Sequence, residues 1–181
     1  MSAKRRNPRP LDTPRLEEMA LAYVARFATT QAKLLAYLQR KLRERGWEGD
    51  ERPALEALVE RYAELGYVDD ESWARMKAGS LLRRGYGARR VSEALGQAGV
   101  ADEVRCEMQP DEAQAREAAL ALARRRRLGP FARDEVDRSL REKHLAAMLR
   151  AGHRLDIARA IIEADGIEAA ENWVAEAGED V

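Results

Sequence analysis

The sequence is short of most of the residues that brace or catalyse. One cysteine, Cys106, in 181 residues excludes an internal disulfide framework, and in "VRCEM" it reads as a small buried apolar residue. Aromatic residues make up 6% of the chain, too few for a sheet of aromatic and β-branched strands. No window approaches the roughly 20 consecutive apolar residues of a membrane span. No basic start followed by an apolar run of signal-peptide length opens the chain, so a soluble, cytoplasmic protein without membrane contact is expected. The two histidines, His144 and His153, lie nine residues apart with no cysteine partner, and no Gly-x-x-x-x-Gly-Lys-Ser/Thr loop is present. Zinc, a P-loop nucleotide and any other cofactor are therefore not expected, and the chain reads as a non-enzyme with structural or surface histidines.

What is present is charge on an apolar frame: 35% charged and 45% hydrophobic residues, which suits solvated helices around a core. Lysine plus arginine and aspartate plus glutamate both total 32, but they are unevenly spread. Lys4, Arg5, Arg6 and Arg9 open the chain without an acid, and Glu163, Asp165, Glu168, Glu171, Glu176, Glu179 and Asp180 close it. In such a polarised molecule the local field matters more than the net charge.

Apolar spacing predicts helices throughout. Thr13-Pro14 reads as a cap followed by a first-turn proline, ahead of Leu16, Met19, Tyr23, Val24 and Phe27 on one face. Leu34, Leu35, Leu38 and Leu42 lead to Gly46, and Leu55, Leu58, Val59, Tyr62 and Leu65 lead to Gly66. Asp70 is the expected cap of a helix through Trp73, Ala74, Leu81 and Leu82, which Gly85-Tyr86-Gly87 breaks; Val91, Leu95 and Ala98 then precede Gly99. A short helix from Asp102 to Met108 and a longer one from Asp111 to Leu128 follow, the latter stopped by Gly129-Pro130. Leu145, Met148 and Leu149 precede Gly152, with a last helix through Ile157, Ala160 and Ile161.

Gly46, Gly99 and Gly152 recur at intervals of 53 residues, each ending the middle helix of a triplet. The expectation is an all-α chain: a flexible basic leader (1–12), three imperfect tandem three-helix repeats (13–69, 70–110 and 111–166, the last with an insertion), and a short helix with an acidic tail (167–181). Such repeats stack into an elongated, curved body.

"VDDESWA" followed by "LLRRGYGARRVSEALGQAGV" resembles the signature of the RecX family, bacterial regulators of the RecA recombinase. Val68-Asp69-Asp70, Trp73-Ala74, Arg84-Gly85-Tyr86-Gly87, Arg90, Leu95 and Gly99-Val100 carry the likeness. "AYVARFATTQAKL" in the first unit, and "RRRRLGPF" and "REKHLAAMLRAGH" in the third, extend it over roughly Leu16 to Gly166. Departures are Ala88 for proline, Lys33 for glutamate, and Ala94 and Ala98 for glutamate and lysine. The resemblance implies tandem three-helix repeats. It also implies a protein that lies in the groove of RecA filaments on DNA and modulates, usually inhibits, strand exchange and ATP hydrolysis, in DNA repair, homologous recombination and the SOS response. The partners so implied are RecA and its nucleoprotein filament, with weak direct DNA binding and a monomeric state.

The candidate contact residues are Arg83, Arg84, Tyr86, Arg89 and Arg90 around the glycine turn, and Arg124, Arg125, Arg126 and Arg127. The glycines themselves read as a cap and tight turn. Four guanidinium groups held by one turn suit phosphates or clustered carboxylates, and Tyr86 either stacks on a base or plugs an apolar gap. Consecutive residues on a helix lie about 100° apart, so the four arginines at 124–127 fan out and two of them are expected to reach a partner. Trp73, Tyr23, Tyr62 and Trp173 read as core, with Trp47 packing near the first repeat boundary. The rival reading is a stand-alone DNA-binding protein that offers Arg89, Arg90, Ser92 and Gln97 in the manner of a helix-turn-helix.

Overall fold

In the computed structural model, which describes residues 9–179, the chain is all-α. Ten α-helices and one 3-10 turn are found among the described residues: α1 Thr13–Arg26, α2 Gln31–Arg45, α3 Leu55–Glu64, α4 Asp70–Arg83, α5 Ala88–Gln97, α6 Asp102–Glu107, α7 Glu112–Arg126, the turn Gly129–Phe131, α8 Arg138–Arg150, α9 Leu155–Ile162 and α10 Ile167–Glu179. Lys4, Arg5, Arg6 and Asp180 lie outside the described residues. The chain divides into two compact units, the first comprising 9–73 with Ala98–Val100, the second Ala74–Gln97 with 101–179.

The first unit closes on Leu11, Leu16, Ala20, Leu34, Leu38, Leu55, Leu58, Val59, Tyr62 and Val68. Leu11, expected in the leader, is fully buried: its amide donates to the Gly46 carbonyl at 2.9 Å and its carbonyl accepts from Glu48 at 2.8 Å. The cap of α1 is Asp12 rather than Thr13, because a carboxylate one residue earlier reaches the Arg15 amide at 2.9 Å. Phe27 ends α1 in an extended conformation and stands 54% exposed, off the apolar face expected of it. Leu65, also expected inside, is 59% exposed at the end of α3.

Two aspartates divide the work assigned to Asp70. Asp69 caps α4 through the Ser72 amide at 2.9 Å, while Asp70 accepts the Gln31 amide at 2.8 Å and so caps α2 instead. Burial raises the Asp70 pKa against that hydrogen bond. At the same end of α2, the buried Thr30 hydroxyl donates to the Ala98 carbonyl at 2.6 Å. Gly99 (φ +75°) sits so close that a Cβ on it would lie 2.2 Å from that of Ala32.

The second unit is built on Leu122, Met148, Ile157, Ile161 and the alanines Ala119, Ala123, Ala158 and Ala170. Small side chains let α7, α9 and α10 approach closely, with Trp173 packed against their edge. Asp111 and Gln114 form a capping box on α7. That helix ends not on Gly129 but on Arg127, which takes the left-handed conformation at φ 58°. Cys106, expected inside, is exposed, since α6 is a single short helix that buries no residue.

Candidate functional site

The first arginine group is positioned by a cap. Gly85 takes φ +76°, its amide donates to Leu82 at 2.7 Å, and that of Tyr86 donates to Leu81 at 3.1 Å. These are the paired bonds of a Schellman motif, which needs a residue free to adopt positive φ. The end of α8 is built in the same way: Gly152 (φ +94°) donates to Leu149 at 3.0 Å and His153 to Met148 at 3.3 Å.

The two caps are fastened to each other. The Gly87 amide donates to the Ala151 carbonyl at 2.9 Å and the Arg89 amide to Gly152 at 3.2 Å. The Arg89 guanidinium donates to the Leu149 carbonyl at 2.8 Å, and the buried His153 ring shares a 3.0 Å bond with the Gly85 carbonyl. Gly87 is required here by space rather than by φ: a Cβ on it would lie 2.4 Å from the Gly152 carbonyl carbon and oxygen. The carbonyl end of α8 thus abuts the amide end of α5, so opposite ends of two helix dipoles meet. The turn's own amides are consumed in this joint, and phosphate has no backbone cradle there.

Burial lowers the His153 pKa, opposed in part by the Gly85 carbonyl, so the neutral ring donates from Nε2. Burial lowers that of His144 as well; its Nδ1 accepts the Gly129 amide at 3.0 Å. Both histidines are structural.

The arginines separate into held and free. Arg90 pairs with Glu93 at 2.9 Å, and the Arg89 Nε lies 3.8 Å from the same carboxylate, so this acid neutralises part of the charge expected there. Arg124 pairs with Glu171 and lies 5.9 Å from the Phe131 ring. Arg83, Arg84, Arg125, Arg126 and Arg127 are exposed and form no ion pair among the described residues. Gly85 packs against α7, where a Cβ would lie 2.7 Å from the Leu122 nitrogen. Arg83 lies beside Gln114, Glu117, Ala118 and Ala121 of α7, and Arg84 beside Arg90, Glu93 and Gln97 of α5. Tyr86 is half-buried under the Arg84 guanidinium, 5.6 Å from its ring centre.

No protein-family model matches the chain. It is similar to the regulatory protein RecX of Myxococcus xanthus strain DK1622, with 35% identity over 169 residues, 88% of this chain and 90% of that one. The chain belongs to the RecX family of regulatory proteins. A regulatory protein RecX of Mycobacterium sp. strain JLS is 36% identical over 104 residues, 57% of this chain and 55% of that one. The crystal structure of RecX from Lactobacillus salivarius superposes with a TM-score of 0.66 at 17% identity, covering 83% of this chain and 94% of that one. A second RecX crystal structure gives 0.65 at 17% identity, over 83% and 70%. At that identity the two structures bear on the fold, which is the all-α fold expected of the RecX family.

One basic element escaped the sequence reading. Helix α2 carries Lys33, Arg40, Lys41, Arg43 and Arg45 against the single acid Glu44. Its charges are interleaved with leucines, so they form no conspicuous run; counting charge helix by helix would have found it. Lys33 lies 4.0 Å from the Trp73 ring. Among the described residues no helix is long and apolar enough to cross a membrane.

Proposed function

We propose that this RecX-family chain is a non-enzymatic, cytoplasmic regulator that binds RecA and RecA filaments on DNA and lowers strand exchange and ATP hydrolysis, in recombinational repair and the SOS response. The observation that carries the reading is the set of guanidinium groups at Arg83, Arg84, Arg125, Arg126 and Arg127, exposed and without an ion pair among the described residues. Planar donors without ion pairs are matched to phosphates and to clustered carboxylates, the two chemistries a nucleoprotein filament presents.

Three tandem three-helix repeats (13–69, 70–110, 111–166) are the architecture we propose for holding them. In support, a similar joint occurs twice: Ala98 and Gly99 meet Thr30 and Ala32, and Ala151 and Gly152 meet Gly87 and Arg90, with 53 residues from Ala98 to Ala151 and from Gly99 to Gly152. A monomer touching successive RecA protomers would oppose the motions that accompany ATP turnover. Weak direct DNA contact belongs to the same reading. The helix-turn-helix rival is the poorer fit, because Arg89 and Arg90 are engaged with Leu149 and Glu93.

The test is single-strand-DNA-dependent ATP hydrolysis by the cognate RecA as the protein is titrated in. A fall in rate, with co-sedimentation on filaments, supports the reading. An unchanged rate with no filament binding, together with tight sequence-selective binding to a duplex, would replace it with the rival.

A further inference from the structure

The first unit holds an aromatic cluster that its core does not explain. Tyr23 of α1 and Tyr37 of α2 are stacked, with ring centres 4.2 Å apart and planes 17° apart. Phe27 leans on Tyr23 at 5.4 Å and 49°. The tyrosines sit half-buried at the edge of the leucine core, whereas Phe27 is 54% exposed. An uncovered large ring continuous with a stacked pair is a surface of the kind that binds something flat.

The chemistry around the rings is cationic. The Arg26 guanidinium lies 5.9 Å from the Phe27 ring centre, and Arg40 and Lys41 lie 5.6 Å and 5.9 Å from that of Tyr37. Glu44 pairs with both Arg40, at 3.7 Å, and Lys41, at 2.6 Å. Arg26 forms no ion pair among the described residues. Arg26, Arg40 and Lys41 against Glu44 leave an excess of positive charge beside the rings, which disfavours a basic or apolar partner.

We propose that Phe27, Tyr23 and Tyr37, with Arg26, Arg40 and Lys41, form a platform for single-stranded nucleic acid, separate from the arginine group of the second unit. Bases stack on the outer face of Phe27 while the cations follow the backbone. The duplex is disfavoured because its bases present no free face.

The test needs no RecA, so its outcome is independent of the ATPase reading. Fluorescence anisotropy compares an oligothymidylate with an abasic oligodeoxyribose phosphate of equal length, which carries the same charge and no rings. The wild-type protein is expected to prefer the oligothymidylate by about tenfold, within the range that one stacked base supplies. Phe27→Ala, at an exposed position outside the helix, should remove that preference and leave abasic binding unchanged. Arg26→Ala with Arg40→Ala should weaken both ligands and reduce the slope of log affinity against log salt by about 1.4. Equal affinity for the two ligands, or a preference that survives Phe27→Ala, would overturn the proposal. So would an oligothymidylate affinity unchanged in Phe27→Ala alongside a loss of RecA inhibition, which would make the patch a protein contact.

Discussion

Replacing Gly87 by alanine should be among the most damaging single substitutions in the second unit, although its backbone conformation suits any residue. The added methyl would lie 2.4 Å from the carbonyl carbon and oxygen of Gly152 and from the His153 nitrogen, about 1 Å inside the contact distance of ~3.5 Å. All three atoms are backbone, so no rotamer change relieves the overlap, and the end of α5 must retreat from the end of α8. That movement breaks the 2.9 Å bond from Gly87 to Ala151 and the 3.2 Å bond from Arg89 to Gly152. Two buried hydrogen bonds at about 0.5–1.5 kcal/mol each, with residual overpacking of about 1–3 kcal/mol, give an expected loss of about 2–6 kcal/mol. Gly79 supplies the comparison. It lies inside α4, where a Cβ would meet only the tip of the Arg83 side chain at 3.2 Å, so Gly79→Ala should stabilise by up to about 1 kcal/mol through helix propensity. Urea unfolding followed by far-ultraviolet circular dichroism and by Trp173 fluorescence measures both. A Gly87→Ala protein within 1 kcal/mol of wild type would show that the two helix ends are not in contact in solution.

Other expectations are as direct. Arg83→Glu with Arg84→Glu, and separately Arg125→Glu with Arg126→Glu, should each reduce inhibition of RecA ATP hydrolysis at least tenfold while leaving the melting curve close to wild type; full inhibition by either folded variant would remove those residues from the contact. Asp70→Ala leaves the Gln31 amide uncapped and should cost the first unit about 1 kcal/mol, read from urea unfolding by Trp47 and Trp73 fluorescence, and a neutral result would remove Asp70 from the capping of α2. Burial holds the folded pKa of His153 and His144 below the unfolded value near 6.5, so the unfolded state binds more protons in that range. Their stabilisation is full above about pH 6.5 and is lost as the pH falls through it. His153→Gln with His144→Asn, which keep a donor and an acceptor in the same places, should flatten that dependence, and an unchanged slope between pH 7.5 and 5.5 would contradict the assignment. Arg127→Gly relieves a left-handed arginine and should stabilise by about 1 kcal/mol, measured as a shift of the urea midpoint.

The apolar frame was legible because it repeats at helical spacing: Leu34, Leu38, Val91, Leu95, Met148 and Ile157 are all buried where the periodicity put them. Legibility failed at helix ends. Phe27 and Leu65 keep the spacing but fall just past the last helical turn, where the chain has already changed direction. Asp70 sits in sequence like a cap for its own helix, yet its carboxylate serves α2, a partner 39 residues earlier. Arg127 takes a conformation for which the sequence offered Gly129, because the Leu128 amide reaches back to Ala123 at 2.9 Å. Among the candidate residues, the pattern located the two arginine groups but could not sort them. Which guanidinium is free depends on acids that are close in the chain, such as Glu93 for Arg90, and on others as distant as Glu171 for Arg124.

The joint between helix ends also bears on how the chain is made. Each copy closes over a long span: Thr30 reaches Ala98, and Gly85 reaches His153, 68 residues later in both cases. A ribosome adds roughly 5–20 residues per second, so each amide end stands open for about 3–14 s after it is synthesised. During that interval the exposed turn at Gly85-Tyr86-Gly87 has no cap to receive it. Maturation therefore advances from the N-terminus in two delayed steps, each completed only when the following middle helix emerges.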